Sequence, residues 1–298
     1  MTDPLNARPR RSVLYMPGSN TRALEKGKTI PADALILDLE DAVAPDAKAE
    51  ARKNVVEAVK AGGYGKRELA VRVNPLDSEW GQADVEAAAT CGADAILLPK
   101  VESAAMVRDL EARMARHGAP DGMAIWVMME TPLGILHAEG IAASSDRLAV
   151  LVMGTSDLVK DLQAQHTPER LPVLTSLSLC VLAARAHGRA VVDGVHLDLQ
   201  DMEGFEAACR QGLELGMDGK TLIHPKTVEP ANRIFAPSED EVGRARRIIE
   251  AHAEAERRGE GVVVLDGQLI ENLHVLNARR IVALHEAIQA RESDSGAD

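Results

Sequence analysis

Eight short apolar runs, rich in β-branched residues and bounded by Gly, Pro or polar residues, follow one another along the chain. They are Ser12–Met16, Ala34–Leu37, Leu69–Val73, Ala95–Leu98, Ala124–Met129, Leu148–Met153, Ala190–Val192 with an extension to Val195, and Lys220–Ile223. Between most of them lies an Ala-rich amphipathic stretch of helical length. Asp46–Lys60, with Val55, Val56 and Val59 among Lys, Arg and Glu, is one; Ser103–Arg116 and Met202–Leu215 are others. Strands alternating with helices make βαβ units on a parallel sheet, and eight units match a closed barrel better than an open sheet. The fold class is read as α/β, a (β/α)8 TIM barrel. Such barrels fill about 250 residues as a single domain, and the 298 residues here, 46% hydrophobic, accommodate one with a tail.

Residues 11–232 read as the barrel and 233–298 as a C-terminal helix–hairpin–helix cap. The cap begins with a charged helix over Ser238–Arg258. A strand at Val262–Leu265 and an Asp266–Gly267 hairpin turn follow. The last helix is expected over His274–Ala290, and Glu292–Asp298 is expected to be disordered. The longest gap, between the sixth and seventh strands, contains His166, Pro168 and Pro172 and reads as a large loop at the active face. Cys180 inside it, within Leu177–Leu182, reads as core helix.

Composition removes several classes of function. Cys91, Cys180 and Cys209 are far apart and odd in number, with neither zinc spacing nor a disulfide framework, which favours a reducing cytoplasm. No run of 18 apolar residues exists, so no membrane span is expected. Met1–Arg11 has arginines but also Asp3, Pro4 and Pro9, and no apolar stretch follows, so it does not read as a leader. A net charge of −12 argues against a nucleic-acid partner, and two Trp, two Tyr and two Phe leave few stacking platforms. A small, polar, anionic molecule remains compatible.

In such barrels, side chains at the C-terminal strand ends converge on the active site. Here those ends carry Asp38, Glu40 and Asp41; Arg72 and Asn74; Lys100; Glu130; Gly154, Ser156 and Asp157; Asp193; and His224. Polar residues mark strand ends in any protein, but Glu130 and Asp157 follow strongly apolar strands and are matched by Arg72. The acid-rich rim points to a hard cation, Mg²⁺ with Mn²⁺ as a substitute, bound through one or two carboxylates. Glu130 and Asp157 suit direct ligation. Glu40 and Asp41 suit a supporting catalytic role behind the ion. Arg72 offers a planar fork to a substrate carboxylate, and a rim ion pair with Glu40 or Asp41 is compatible with that. Lys100 reads as orienting a rim carboxylate.

The first strand runs into Tyr15-Met-Pro-Gly-Ser-Asn20, a tight turn in which Ser19 or Asn20 can cap the next helix and leave amides for an anion. Residues 1–28 hold six basic groups, Arg8, Arg10, Arg11, Arg22, Lys26 and Lys28, against Asp3 and Glu25. Tyr15, Gly18, Ser19, Arg22 and Lys28 are therefore candidates for binding the phosphates of a nucleotide-like handle.

Seven motifs then appear in order: Ser12-Val-Leu-Tyr-Met-Pro-Gly-Ser19, Asp38-Leu-Glu-Asp-Ala-Val43, Val71-Arg-Val-Asn74, Leu98-Pro-Lys100, Met129-Glu-Thr-Pro-Leu-Gly134, Met153-Gly-Thr-Ser-Asp-Leu158 and Gly219-Lys-Thr-Leu-Ile-His-Pro225. Together they resemble the citrate lyase beta subunit-like family, which includes malyl-CoA and citramalyl-CoA lyases. Glu79-Trp-Gly81, Asp193-Gly-Val195 and Asp266-Gly-Gln-Leu-Ile-Glu-Asn-Leu-His-Val275 are most similar to its malyl-CoA-hydrolysing members. The resemblance implies a barrel, Mg²⁺ on Glu130 and Asp157, a substrate carboxylate on Arg72 and a CoA thioester substrate. It also implies homotrimers or hexamers in which the cap reaches a neighbouring subunit's site. Glu271 stands where many lyase relatives carry Asp, and is expected to be the acid/base that the cap supplies. One extra methylene there favours thioester hydrolysis over carbon–carbon cleavage. Thr227, where a Gln is common, is a second, lesser departure. A citrate lyase beta subunit acting on a citryl thioester, and a barrel that binds CoA esters without turnover, are the remaining readings.

Overall fold

The computed structural model describes residues 8–259 and 263–294. Its chain groups into two compact units, Arg10–Phe235 and a second from Ala236 onward with residues 8 and 9. The first unit is a closed barrel of eight parallel strands in sequence order: β1 Ser12–Pro17, β2 Ala34–Asp38, β3 Glu68–Arg72, β4 Ala95–Leu98, β5 Ala124–Met129, β6 Leu148–Met153, β7 Ala190–Asp193 and β8 Gly219–Leu222. Every strand expected from the apolar runs is present, with ends shifted by a residue or two. The TIM-barrel expectation holds.

Ten helices surround it: α1 Thr21–Gly27, α2 Lys48–Ala61, α3 Gly81–Cys91, α4 Ala104–Arg116, α5 Pro132–Leu136, α6 Ala138–Ala142, α7 Thr155–Asp161, α8 Leu171–Ala186, α9 Met202–Leu215 and α10 Val228–Phe235. The segment between β6 and β7 is not a large loop. It is α7 and α8, with only 162–170 irregular between them. Pro172 sits in the first turn of α8, where its missing N–H has no helical partner to lose.

Alternate residues of each strand face inward or outward. Val13, Ile36, Leu97, Trp126 and Val152 belong to the inner packing, while Leu14, Leu35, Ile96 and Val127 pack against the helices. The base of the barrel is closed by ion pairs. Arg10 binds Glu68 at 2.7 and 2.9 Å and lies 5.5 Å from the centre of the Trp126 ring, and Arg11 binds Asp33 at 2.9 Å. These arginines precede β1, at the end of the strands opposite the expected mouth. The six-base cluster read from residues 1–28 is therefore divided, and Arg10 and Arg11 are structural.

On the outer face of β7 and β8 lies a buried triad. Asp193, fully buried, accepts from Lys220 Nζ at 2.7 Å and from Arg170 Nη1 at 2.8 and 2.6 Å. Burial opposes the charge of Asp193, but Lys220 and Arg170 hold its pKa below the usual value.

The second unit contains α11 Glu239–Arg258, a hairpin of β9 Val263–Leu265 and β10 Gln268–Ile270, and α12 Asn272–Asp294. Ser238 and Glu241 form a reciprocal capping box at the start of α11. The unit packs its own core from Ala245, Ile248, Ile270, Val275 and Ala278. Helix α12 starts two residues earlier than expected and takes in 292–294, which were read as disordered. Val262 and residues 295–298 lie outside the described residues.

Asp193→Ala leaves the Lys220 ammonium buried without its carboxylate. It is expected to lower stability by about 3–5 kcal/mol, read as the loss in unfolding free energy in urea. Asp109→Ala, at an exposed i,i+4 pair with Arg113, is expected to cost about 1 kcal/mol or less.

Candidate active site

At the mouth, register pairs Asp38 with Arg72 and Arg72 with Leu97, so both polar side chains continue the inward-facing rows. Asp38 is fully satisfied. Its Oδ1 accepts Arg72 Nε at 2.7 Å and the Glu40 amide at 2.9 Å; its Oδ2 accepts Arg72 Nη2 at 2.6 Å and the Ala42 amide at 3.2 Å. Arg72 Nη1 lies 2.9 Å from Glu40 Oε2 and 3.8 Å from Asp41. The guanidinium is 4.9 Å from the centre of the Tyr15 ring. Burial works against its charge, but the bonds to Asp38 raise its pKa above normal. A guanidinium has five N–H donors. Asp38 takes two, and Nη1 faces Glu40 as an ion pair, so N–H groups remain on both terminal nitrogens.

Glu40 is buried, and its other oxygen, Oε1, accepts Lys100 Nζ at 2.6 Å. Burial raises its pKa against the pull of Arg72 and Lys100. Its backbone is fixed as well. Buried Lys48 donates to the carbonyls of Leu39 and Glu40, each at 2.9 Å, and lies 5.0 Å from the centre of the Trp80 ring. Asn74 Nδ2 donates to Leu39 O at 2.8 Å. Asp41 is exposed, 4.0 Å from Lys100 Nζ.

Glu130 follows β5 directly, and Thr131 caps α5 immediately after it, accepting the Gly134 amide at 3.0 Å. That leaves Glu130 no slack. It is 2% exposed, and its Oε1 accepts the Lys100 backbone N–H at 2.8 Å. Gly154, at the end of the neighbouring strand, lies against it: a Cβ there would come within 2.5 Å of Glu130 Oε2. Burial, opposed by the Lys100 amide and by Arg72, pushes the Glu130 pKa up to about 7. Asp157 sits in the first turn of α7, half-buried, and beside it the Ser156 hydroxyl is buried with no hydrogen-bond partner.

These ends bring five carboxyl groups, Asp38, Glu40, Asp41, Glu130 and Asp157, and two cations, Arg72 and Lys100. The desolvated Glu130 carboxylate within such an acid excess fits a divalent ion. The donors are hard oxygens, which suit Mg²⁺ rather than zinc. Among the described residues, no group of three or more His, Cys, Asp or Glu is gathered as a metal cage.

The remaining candidates are dispersed. Tyr15 lies beneath Arg72, and burial raises its hydroxyl pKa. The Gly18 N–H is taken by Asp38 O at 2.8 Å, and Asn20, not Ser19, caps α1, so the Gly18 amide is not left for an anion. Ser19 and Arg22 are exposed. Lys28 stands at the far end of α1 from the mouth, 2.7 Å from Glu25, and lines a cavity of about 240 Å³ with Asn54 and Glu57. Glu271 belongs to the second unit, exposed ahead of α12, its amide donating to His274 Nδ1 at 2.9 Å. The sequence reading named Asp38 as a strand-end acid but missed its hold on Arg72, a pairing implied by the matching ends of β2 and β3. It missed Lys48 entirely, and no signal in the sequence marks it.

A sequence profile of the HpcH/HpaI aldolase/citrate lyase family matches residues 11–225. The chain belongs to this family. It is 52% identical to a (3S)-malyl-CoA thioesterase of Cereibacter sphaeroides (strain KD131 / KCTC 12085), over 95% of this chain and 97% of that protein. It is 37% identical to the citrate lyase subunit beta of Escherichia coli (strain K12), over 96% of each. Among solved structures, the aldolase/citrate lyase fold here is similar to the protein CitE from Mycobacterium tuberculosis in complex with magnesium, acetoacetate and coenzyme A. The TM-score is 0.73 at 27% identity, covering 95% of this chain and 99% of that one. No helix among the described residues is long and apolar enough to cross a membrane.

For this member of the aldolase/citrate lyase family, the raised Glu130 pKa has a definite sign. Protonation favours the folded metal-free protein, fully below the usual carboxylate pKa, and the advantage is lost as pH rises through about 7. Metal-free wild type is expected to lose melting temperature relative to Glu130→Gln between about pH 6 and pH 8. Scanning calorimetry at both pH values checks it; a constant difference contradicts it.

Proposed function

We propose that the chain is a Mg²⁺-dependent enzyme that hydrolyses (3S)-malyl-CoA to malate and CoA. The observation that carries this reading is the 52% identity, over nearly the whole of both chains, to a protein of that activity. The solved relative containing magnesium and coenzyme A, and the acid excess at the mouth, support the ion and the substrate class. Glu130 and Asp157 would hold the ion. When bound, it supplies Lewis acidity and a template for substrate oxygens.

The protein's own groups do the rest. Arg72 offers the Nη1 and Nη2 N–H groups that Asp38 does not take to the substrate carboxylate in two-point fashion, and Asp38 and the Tyr15 ring keep that fork from turning. Glu40 and Asp41 hold the surrounding charge and water. Exposed Arg22, in the first turn of α1, serves the phosphates of the CoA handle. Glu271 acts as general base. It takes a proton from water as the water oxygen bonds to the thioester carbonyl carbon; the C–S bond then breaks and CoA leaves as thiolate, which is reprotonated. We read the assembly as a homotrimer or hexamer in the cytoplasm, with Glu271 supplied to a neighbouring copy's barrel, on the strength of the family resemblance.

A second reading, carbon–carbon cleavage, is favoured by the citrate lyase relatives. It uses the same clamp. Loss of the substrate hydroxyl proton to a base would break the C–C bond, giving glyoxylate and an acetyl-CoA enolate.

Incubation with (3S)-malyl-CoA and Mg²⁺ is expected to give malate and free thiol without glyoxylate. Glyoxylate as the main product establishes the lyase reading, and neither product rejects both. Glu130→Gln and Glu271→Gln are each expected to lower kcat by at least about a hundredfold. Mixing the two under subunit exchange is expected to restore about a quarter of wild-type activity, because some sites then pair an intact barrel with an intact cap. No recovery contradicts a shared site.

A further inference from the structure

We infer that Lys100 is a positioning residue whose left-handed backbone lets it hold two site carboxylates at once, Glu130 through its N–H and Glu40 through its ammonium. Among the described residues, the non-glycine positions at positive φ are Lys100, Gln163, Arg170 and Asp266. Only Lys100, at φ 50°, stands among the carboxylates of the mouth. A lysine resists this conformation because its Cβ crowds the following carbonyl, whereas glycine adopts it readily. Strain of this kind persists where the surrounding structure holds it, and it gathers at functional sites.

What Lys100 holds is specific. It follows β4, and its N–H donates 2.8 Å to Glu130 Oε1 at the end of the adjacent β5. Its side chain reaches the other way, past β3, to place Nζ 2.6 Å from Glu40 Oε1 beyond β2. Glu40 Oε2 is held in turn by Arg72 Nη1 at 2.9 Å. The Glu40 carboxylate is thus gripped by one cation on each oxygen, which fixes its plane. Lys100 links the carboxylate proposed for the metal to the guanidinium proposed for the substrate. At 41% exposure its ammonium stays partly in water, so its contribution is orientation rather than buried charge.

Only the kinetic arm of the test rests on the proposed function. Lys100→Met keeps the backbone N–H and the side-chain length and removes the ammonium. Its crystal structure is expected to show Glu40 Oε1 swung away from its wild-type position, while Oε2 keeps Arg72 Nη1 and the Asp41 amide. Its kcat on (3S)-malyl-CoA is expected to fall about 10- to 100-fold, with KM changed less than about threefold. Lys100→Arg, which retains a cation for Glu40, is expected to recover at least about a third of the lost activity on a logarithmic scale. Lys100→Gly is expected to lose kcat like Lys100→Met without losing melting temperature, because relief of strain offsets the lost ion pair. Glu40 unmoved in the Lys100→Met structure overturns the inference, as does kcat within about twofold of wild type. If wild type turns over no malyl-CoA, the functional reading fails, and the Glu40 position alone still decides the role of Lys100.

Discussion

Taking the Arg72 guanidinium out of water costs several kcal/mol unless carboxylates meet it in good geometry, and the mouth of the barrel is arranged around that requirement. Asp38 meets it on two nitrogens and Glu40 on a third, above the Tyr15 ring. The consequences travel along the rim. Glu40 needs a partner for its second oxygen and finds Lys100, whose amide then binds Glu130. One chain of hydrogen bonds and ion pairs, Asp38–Arg72–Glu40–Lys100–Glu130, crosses the ends of four consecutive strands, β2 to β5. Among the described residues its last member has no cation within bonding distance, and burial drives it towards its neutral form.

The two ends of the barrel use the same residue types differently. At the base, Arg10 faces Glu68 and Arg11 faces Asp33, each cation answered by a carboxylate. Such pairs hold the first strands in register and leave no demand for a further ion. At the mouth the carboxyl groups outnumber the cations. An excess of negative charge in a desolvated setting is unstable by itself and becomes favourable once a divalent ion enters. In this fold the base generally carries stability and the mouth carries chemistry.

The fold was legible because strand-forming runs bounded by turn residues carry a strong local signal, and all eight were found to within a residue or two. Helix α8 was only partly legible: Leu177–Leu182 around buried Cys180 reads as core helix, but its first turns read as loop, for a physical reason. Its apolar residues lie on nearly every side, Leu177 fully buried and Leu171 and Leu182 largely exposed, so no amphipathic stripe marks it, and Pro168 and Pro172 read as loop. Within the site, Arg72, Glu40, Glu130 and Asp157 were visible as polar residues ending apolar strands. Asp38 was visible too, but its hold on Arg72 required strand register. The left-handed conformation of Lys100 left no trace, because lysine is not a residue that favours it. The basic cluster of residues 1–28 misled, since spacing in sequence does not tell the base of a barrel from its mouth.

The claim on which the rest depends is that the acid excess is completed by one divalent ion between Glu130 and Asp157. Anomalous diffraction from crystals soaked in Mn²⁺ tests it directly. The expected result is a single strong peak with an oxygen of each carboxylate within about 2.3 Å. No peak at the mouth, or a peak that one of the two carboxylates does not touch, contradicts it.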